Sequence, residues 1–320
     1  MQEPSFYLNN DFRLCLQNLM SDCALTSHPR GTTTKEILNY NITLVDPRNR
    51  VITFADRNTS TKYLLGEFIW YLSAQNTVDA ITPYAKFWDN ITNPDGTVNS
   101  NYGHRLFGEH QSTLVPAKYK GSQGQSQWMN VVEILSKDKE SRQAIVNIHV
   151  PQDRWAGNKD VPCTLALQFF IREERLHLIT SMRSNDIILG FTNDVFQFTM
   201  LQEALMLQLR EKYPSLELGN YYHNAGSMHI YERHFPMAEN IINQKNAFDM
   251  SMIPMDRFDD GIVNVLIAIE AAWSVDNYAE DFDFTKCYAW NKLTPYWQTL
   301  IKAFFNRDES AMHAIFGQAE

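Results

Sequence analysis

The sequence predicts an α/β protein, and three stretches carry that prediction. Thr164 to Ile171 is β-branched and aromatic, and Leu176, Leu178 and Thr180 alternate with His177, Ile179 and Ser181, so two strands joined at the charged tetrad Arg172–Arg175 are expected. Just beyond, Val195, Phe198, Leu201, Leu205 and Leu209 recur at helical spacing, with Asp194 standing where an N-cap would stand. Thr61 to Ala74 (TKYLLGEFIWYLSA) is apolar at helical spacing except for Glu67.

In chain order, Phe12 to Cys23 reads as a first amphipathic helix. His28–Pro29–Arg30–Gly31 forms a turn that puts Arg30 in a mobile loop, and a strand region follows from Ile37 to Phe54. In the helix at 61–74, Glu67 falls among large hydrophobic residues; a place on the helix's polar edge is the other reading. Asn93–Pro94–Asp95–Gly96 is a turn, Lys120 to Gln127 a surface loop too short to link domains, and Trp128 to Leu135 a helix. Arg142 starts a strand, Ala144 to Val150. His229 and Tyr231 are two apart and share a face if that segment is extended. Leu266 to Trp273 and Tyr296 to Phe305 look helical, and the final AMHAIFGQAE carries no signal.

A chain of 320 residues with 44% hydrophobic content can bury a large core, as one large domain or two ordinary ones. The net charge of −9 comes with no basic block, which argues against duplex nucleic acid as the main partner, whereas a small anionic ligand needs only a few local arginines. Cys15, Cys23, Cys163 and Cys287 lie far apart without CxxC spacing, so neither a metal site nor a disulfide framework is expected. The N-terminus has no basic or apolar leader and no apolar run approaches membrane-spanning length. A cytoplasmic protein with no membrane partner is the expectation.

The stretch from Val161 to Phe198 also carries chemistry. Pro162–Cys163, Gln168–Phe169, Arg183–Ser184 with Asp186, Leu189–Gly190 and His229–Ile230–Tyr231 fall in an order and spacing that resembles the thymidylate synthase family. The resemblance extends upstream to Arg30, Glu67 with Trp70, Trp88–Asp89, Tyr102–Gly103 and Ser141–Arg142, and covers about residues 12 to 235. Within the family the chain is more similar to the pyrimidine (dCMP or CMP) 5-hydroxymethylases in NSNYG (99–103), MRSND (182–186) and the Gly-Phe-x-Asn-Asp run at 190–194.

That resemblance implies a large mixed sheet flanked by helices, with residues 1–235 as the catalytic domain and 236–320 as a mostly helical C-terminal extension packed on it. It implies Cys163 as the nucleophile that adds to C6 of the pyrimidine, and 5,10-methylenetetrahydrofolate as co-substrate, with no metal. Glu67 is implied as the catalytic carboxyl near base and folate, and Arg30, Arg142, Arg183 and Ser184 as the phosphate set, whose charge would help a thiolate form. His229 and Tyr231 would hold the sugar 3′-hydroxyl; Gln168, Asn193 and Tyr102 join the substrate set, and Trp88, Asp186 and Gly190 the folate set. Arg142 would reach the partner subunit's site in a homodimer. The usual second Arg there is Gln143, a departure that touches phosphate binding.

Asp194 stands where thymidylate synthases have their base-reading Asn. Cytosine offers a ring N3 acceptor and an exocyclic amino donor, the reverse of uracil's N3–H and O4, so a carboxyl in place of an amide implies cytosine. Set apart from the resemblance, Asp194 reads as a helix cap, Cys163 as a small buried hydrophobe and the aromatic positions as core. A methylase, or a non-catalytic paralogue that binds nucleotide or RNA, are the rival readings.

Overall fold

Residues 4–108, 125–155, 157–244 and 248–317 are described by the structure, a computed structural model. The loop expected at Lys120 to Gln127 lies outside them as far as residue 124, as do the last three residues.

The expected hairpin forms from β4 (Thr164–Arg172) and β5 (Arg175–Met182), paired antiparallel with Arg172 opposite Arg175. Its two-residue turn is Glu173–Glu174, both at positive φ (51° and 55°), the twist that lets two right-twisted strands meet in so short a loop. β5 then runs parallel to β7 (Glu217–Tyr231), and β7 pairs antiparallel with β2 (Thr34–Leu44). With β1 (Leu25–Ser27) and β3 (Ile145–Asn147) at the edges the order is β1-β2-β7-β5-β4-β3, and the short β6 (Asn185–Asp186) adds to β7. The sheet is mixed, as expected.

Alternation along these strands divides the sheet into two faces. Leu167, Phe169, Leu176, Leu178 and Tyr221 are fully buried, whereas Gln168, Phe170, His177, Ile179 and Tyr222 on the opposite face are half-buried. On the buried face lie α1 (Leu8–Met20), α4 (Gln127–Lys137) and α5 (Phe191–Leu209). Phe12 of α1 stacks on Phe191 of α5 at 6.3 Å.

Several boundaries differ from expectation, among them the strand expected from Ala144 to Val150, which is β3 alone, and three others are informative. The first helix starts at Leu8 and is over by Ser21, whose extended backbone (ψ 170°) ends it. The strand expected to reach Phe54 stops at Leu44, because Asp46–Pro47 turns the chain and Pro47 has no N–H to give a ladder. Asp194 is not the N-cap of α5: Gly190 is, and the Asp194 N–H already donates within the helix to the Gly190 carbonyl at 2.9 Å. Its carboxyl is therefore free for another partner.

Under α5 lies α2 (Thr61–Leu72), whose residues from Leu64 to Leu72 are all buried, Glu67 included at 5% exposure, so the polar-edge reading does not hold. What buries the far side of α2 is the C-terminal part. After α6 (Phe235–Asn243), the helices α7 (Asp260–Val275) and α8 (Pro295–Phe304) pack on α2, and α9 (Glu309–Ile315) packs on α8. Trp297 stacks on Phe68 at 6.3 Å, and Thr61 Oγ1 donates to the Phe304 carbonyl at 3.2 Å. Glu309–Ile315 thus forms a helix in a region where the sequence carried no signal, held by tertiary packing of Ala311 and Ile315.

Against the end of α2 sits α3 (Tyr102–Phe107), and this contact depends on one glycine. A Cβ on Gly103 would fall 2.2 Å from the Tyr71 Cα and 2.3 Å from its carbonyl oxygen, both backbone atoms that have nowhere to move. Gly103→Ala is expected to destabilise the fold by about 3 kcal/mol or more, the upper range for overpacking, read as a lower urea midpoint. An unchanged midpoint would mean that α2 and α3 separate without loss.

Candidate active site

The antiparallel register of the hairpin brings the first chemistry together. Thr164 pairs with Met182, so Cys163, one residue before β4, lies opposite Arg183, one residue after β5, and the Arg183 N–H donates to the Cys163 carbonyl at 2.8 Å. The Arg183 guanidinium is tied to the Pro162 and Val161 carbonyls at 2.9 and 2.8 Å, which leaves Nη2 3.5 Å from the Cys163 Sγ. Ser184 Oγ is 3.8 Å from the same sulfur. Tyr102 closes the site from α3, its hydroxyl accepting from the Thr164 N–H at 3.2 Å.

Burial pushes the Cys163 thiol up; Arg183 and Ser184 pull it back, while Asp194 and Asp160 push it further. The net direction is upward, against the expectation that a ring of arginines favours the thiolate. The reason is local: Arg30 and Arg142 are exposed, so among the described arginines expected around the sulfur Arg183 alone faces it. Arg30 sits in a short turn at φ 53°, a left-handed conformation that non-glycine residues adopt only where the surroundings hold it.

After Ser184 the chain leaves β5 and pairs with β7 as β6, Asn185 against Met228 and Asp186 against His229. This switch brings His229 and Tyr231 beside the Asp186 loop, on the same half-buried face of β7, their rings 5.3 Å apart and nearly perpendicular. The Asp186 Oδ1 accepts the Ile188 and Leu189 N–H groups at 2.8 and 3.0 Å, and its Oδ2 is buried without a partner among the described residues. Gly190 follows, then Asn193, whose amide donates back to the Leu189 carbonyl at 2.9 Å.

Two carboxyls lie deeper. Asp194 Oδ2 accepts from Asn185 Nδ2 at 2.7 Å, and burial pushes the Asp194 carboxyl up to about 7 even though Asn185 pulls it down. Glu67 accepts from Tyr63 at 2.8 Å and from Gln197 at 3.1 Å; burial pushes it up to about 8, with the Asp194 charge adding to the rise. Trp88 Nε1 donates to the Tyr63 hydroxyl at 3.3 Å, so Trp88, Tyr63 and Glu67 form one line. The two acids differ in exposure and in partners, and burial raises both.

One candidate stands apart. Gln168 is five residues along β4 from Cys163, about 16 Å at strand spacing, on the half-buried outer face where its amide donates to the Arg142 carbonyl at 3.0 Å. The structure therefore groups Gln168 with Arg142, away from the sulfur. Asn185 was noted in the sequence only within MRSND, without a role, and Tyr63 and Gln197 were not singled out, although both had a signal: Tyr63 is four residues before Glu67 on α2 and Gln197 three after Asp194 on α5, spacings that share a helix face. Arg57, whose Nη2 bonds Thr192 Oγ1 at 2.7 Å near Asp186, had none. Among the described residues no group of three or more His, Cys, Asp or Glu could hold a metal ion, and no helix is long and apolar enough to cross a membrane.

The thymidylate synthase family model matches residues 10–278. The chain is 28% identical over 187 residues to the deoxycytidylate 5-hydroxymethyltransferase of Enterobacteria phage T6, covering 56% of this chain and 70% of that one. It is 30% identical over 206 residues to the deoxyuridylate hydroxymethyltransferase of Bacillus phage SP01, covering 63% and 52%. Among solved structures, the thermostable thymidylate synthase A from Bacillus subtilis shares the fold with a TM-score of 0.61 at 20% identity, over 76% of this chain and 87% of that one.

Proposed function

The chain belongs to the thymidylate synthase family, and from that premise we propose that it is a 5-hydroxymethyltransferase acting on a cytidine monophosphate, dCMP in the first instance. The observation that carries this reading is Asp194: a carboxyl, held by Asn185 and pushed up to about 7, at the position that reads the base. Near neutral pH such a group is available both as acceptor for the exocyclic amino group and as donor to ring N3, which cytosine requires and uracil does not match.

Residues of this chain would then act as follows. Arg183 and Ser184 orient the phosphate beside Cys163, and the incoming dianion is offset by the guanidinium. Cys163 Sγ adds to C6, which makes C5 nucleophilic; a proton donated to N3 by Asp194 assists that addition. 5,10-Methylenetetrahydrofolate, the co-substrate of the family, would supply a one-carbon unit at the formaldehyde level to C5, and loss of the C5 proton as tetrahydrofolate departs, taking up a proton on nitrogen, would leave C5 with an exocyclic methylene. The Asp186 Oδ2, buried with no described partner, together with Trp88 and Gly190, fits a ring with polar edges. Glu67, wired to Tyr63 and Gln197, activates water to add to the exocyclic methylene left on C5. Expulsion of Cys163 restores the C5–C6 double bond.

The reading includes a homodimer that completes each site with Arg142 of the other protomer. Its support is the half-buried sheet face bearing Phe170, Ile179 and Tyr222, too apolar for open water, with exposed Arg142 at its rim. It also treats residues 236–320 as a cover packed on the same domain, since α7 and α8 lie on α2. The free thiols Cys15, Cys23, Cys163 and Cys287 fit a reducing cytoplasm.

Mass analysis of products from methylenetetrahydrofolate with an equimolar mixture of dCMP, CMP and dUMP tests the proposal. One added CH₂O on a cytosine nucleotide supports it and reads the sugar directly. Added CH₂ with dihydrofolate formed, or modification of dUMP alone, rejects it in favour of a methylase or a uracil enzyme.

A pH profile gives a second check. Burial raises the Asp194 carboxyl above its ordinary range, so its proton is present below about 7 and is lost as pH rises through that value. The kcat/KM for the cytosine nucleotide, divided by that of Asp194→Asn so that the Cys163 and Glu67 titrations cancel, is expected to show a descending limb there. A ratio that stays level to pH 9 would mean that no proton on Asp194 is used.

A further inference from the structure

Asp194 is the end of a line of side chains that runs into the core. Asn185 Nδ2 donates to Asp194 Oδ2 at 2.7 Å, Asn185 Oδ1 lies 3.0 Å from His223 Nε2, and His223 Nδ1 lies 2.8 Å from the Tyr221 hydroxyl. Asn185, His223 and Tyr221 are 2%, 0% and 1% exposed, so water does not compete for these bonds. Burial pushes His223 down to about 3, so the ring is neutral and has one N–H and one lone pair. With the amide as it stands, a single sense satisfies every atom: Tyr221 O–H to Nδ1, Nε2–H to Asn185 Oδ1, and Asn185 N–H to Asp194 Oδ2.

Gly190 makes room for this contact. A Cβ there would lie 2.8 Å from Asn185 Nδ2 and 3.3 Å from Asp194 Oδ2.

The line matters because a neutral carboxyl is ambivalent. With its proton on the oxygen facing N3 and a bare oxygen facing the 4-position, it matches cytosine; with the proton moved across, it presents an acceptor to N3–H and a donor to O4 and matches uracil. Moving one proton between two oxygens exchanges the substrates, so discrimination depends on what restrains the proton. An oxygen that already accepts a short bond from an amide N–H is the poorer place for it.

Resting on the Asp194 reading above, we infer that Asn185, oriented by His223 and Tyr221, is a specificity-determining positioning residue. By keeping a donor on Oδ2 it confines the Asp194 proton to Oδ1, so that the carboxyl presents donor and acceptor in cytosine's order. Asn185 touches Asp194 and acts through it.

The test compares kcat/KM for dCMP and dUMP in the wild type and in Asn185→Ala, His223→Phe and His223→Gln. Asn185→Ala should lower the dCMP:dUMP preference by about tenfold or more, through a gain on dUMP as well as a loss on dCMP. It should also move the descending limb of the dCMP profile to higher pH, because the bond it removes favours the ionised carboxyl. His223→Phe, which unhooks the Asn185 carbonyl, should shift the preference the same way. His223→Gln still offers an N–H and should keep it. Equal preferences in His223→Phe and His223→Gln, or an unchanged ratio and unmoved limb in Asn185→Ala, overturn the inference. A wild type with no preference for dCMP rejects instead the Asp194 reading on which it rests.

Discussion

Cys163→Ala is expected to abolish product formation, a fall of about 10⁴ or more in kcat, while nucleotide binding is retained. In the proposed reading the sulfur makes the bond to C6, and Arg183 and Tyr102 beside it are held by backbone bonds that do not involve it. Trapping the adduct is the sharper measurement. Wild-type protein incubated with a 5-fluorinated cytidine monophosphate and the folate should gain the mass of both, and the variant neither. Turnover by the variant at even a hundredth of the wild-type rate would transfer the nucleophile's role elsewhere.

The second large effect is expected at Asp194. In Asp194→Asn a carbonyl and an amino group replace the carboxyl at the same size; with the new amino group donating to Asn185 Oδ1, and the neutral His223 passing the reversed sense on to Tyr221, the amide turns its carbonyl to N3, pairs with uracil's N3–H and O4 and leaves cytosine mispaired on both atoms. A buried polar edge that loses its match can change selectivity by on the order of 10⁴, so the variant should turn from the cytosine to the uracil nucleotide. Steady-state kinetics on both substrates decides it, and the descending limb near pH 7 should vanish with the titrating group. If Asp194→Asn lost activity on cytosine without gaining any on uracil, the carboxyl would be acting in the chemistry and not in the choice of base.

Much of the site was legible because the residues that matter most lie in strongly patterned segments. The period-two run from Thr164 to Thr180 fixed a hairpin, and a hairpin's register places Cys163 opposite Arg183 without further information. Glu67 was legible as a carboxyl in an apolar helix, but its burial was one of two readings until the packing of α7 and α8 on α2 left no polar edge. The parts that escaped depend on contacts distant in sequence. Asn185 meets His223 only because β6 leaves β5 and pairs with β7, a switch that two residues of strand do not announce. Asp194 was singled out through the resemblance alone, because an Asp before an apolar helix otherwise reads as a cap; the structure puts Gly190 in that place. Phosphate binding is the least complete, as Arg30 and Arg142 are exposed in a single chain.

The burial of α2 between α5 on one side and α7 and α8 on the other has a consequence for how the protein is made. The helix bearing Glu67 leaves the ribosome early, but Trp297 and Phe304, which cover its outer face, are synthesised more than 220 residues later, as the separation of Phe68 from Trp297 shows. Until then its apolar residues have no cover, and closing so long a loop is slow. Synthesis must therefore have passed Phe304 before the carboxyl acquires the dry surroundings that raise it to about 8. The nascent chain is long a pocketless one, with its hydrophobic helix a natural client for chaperones.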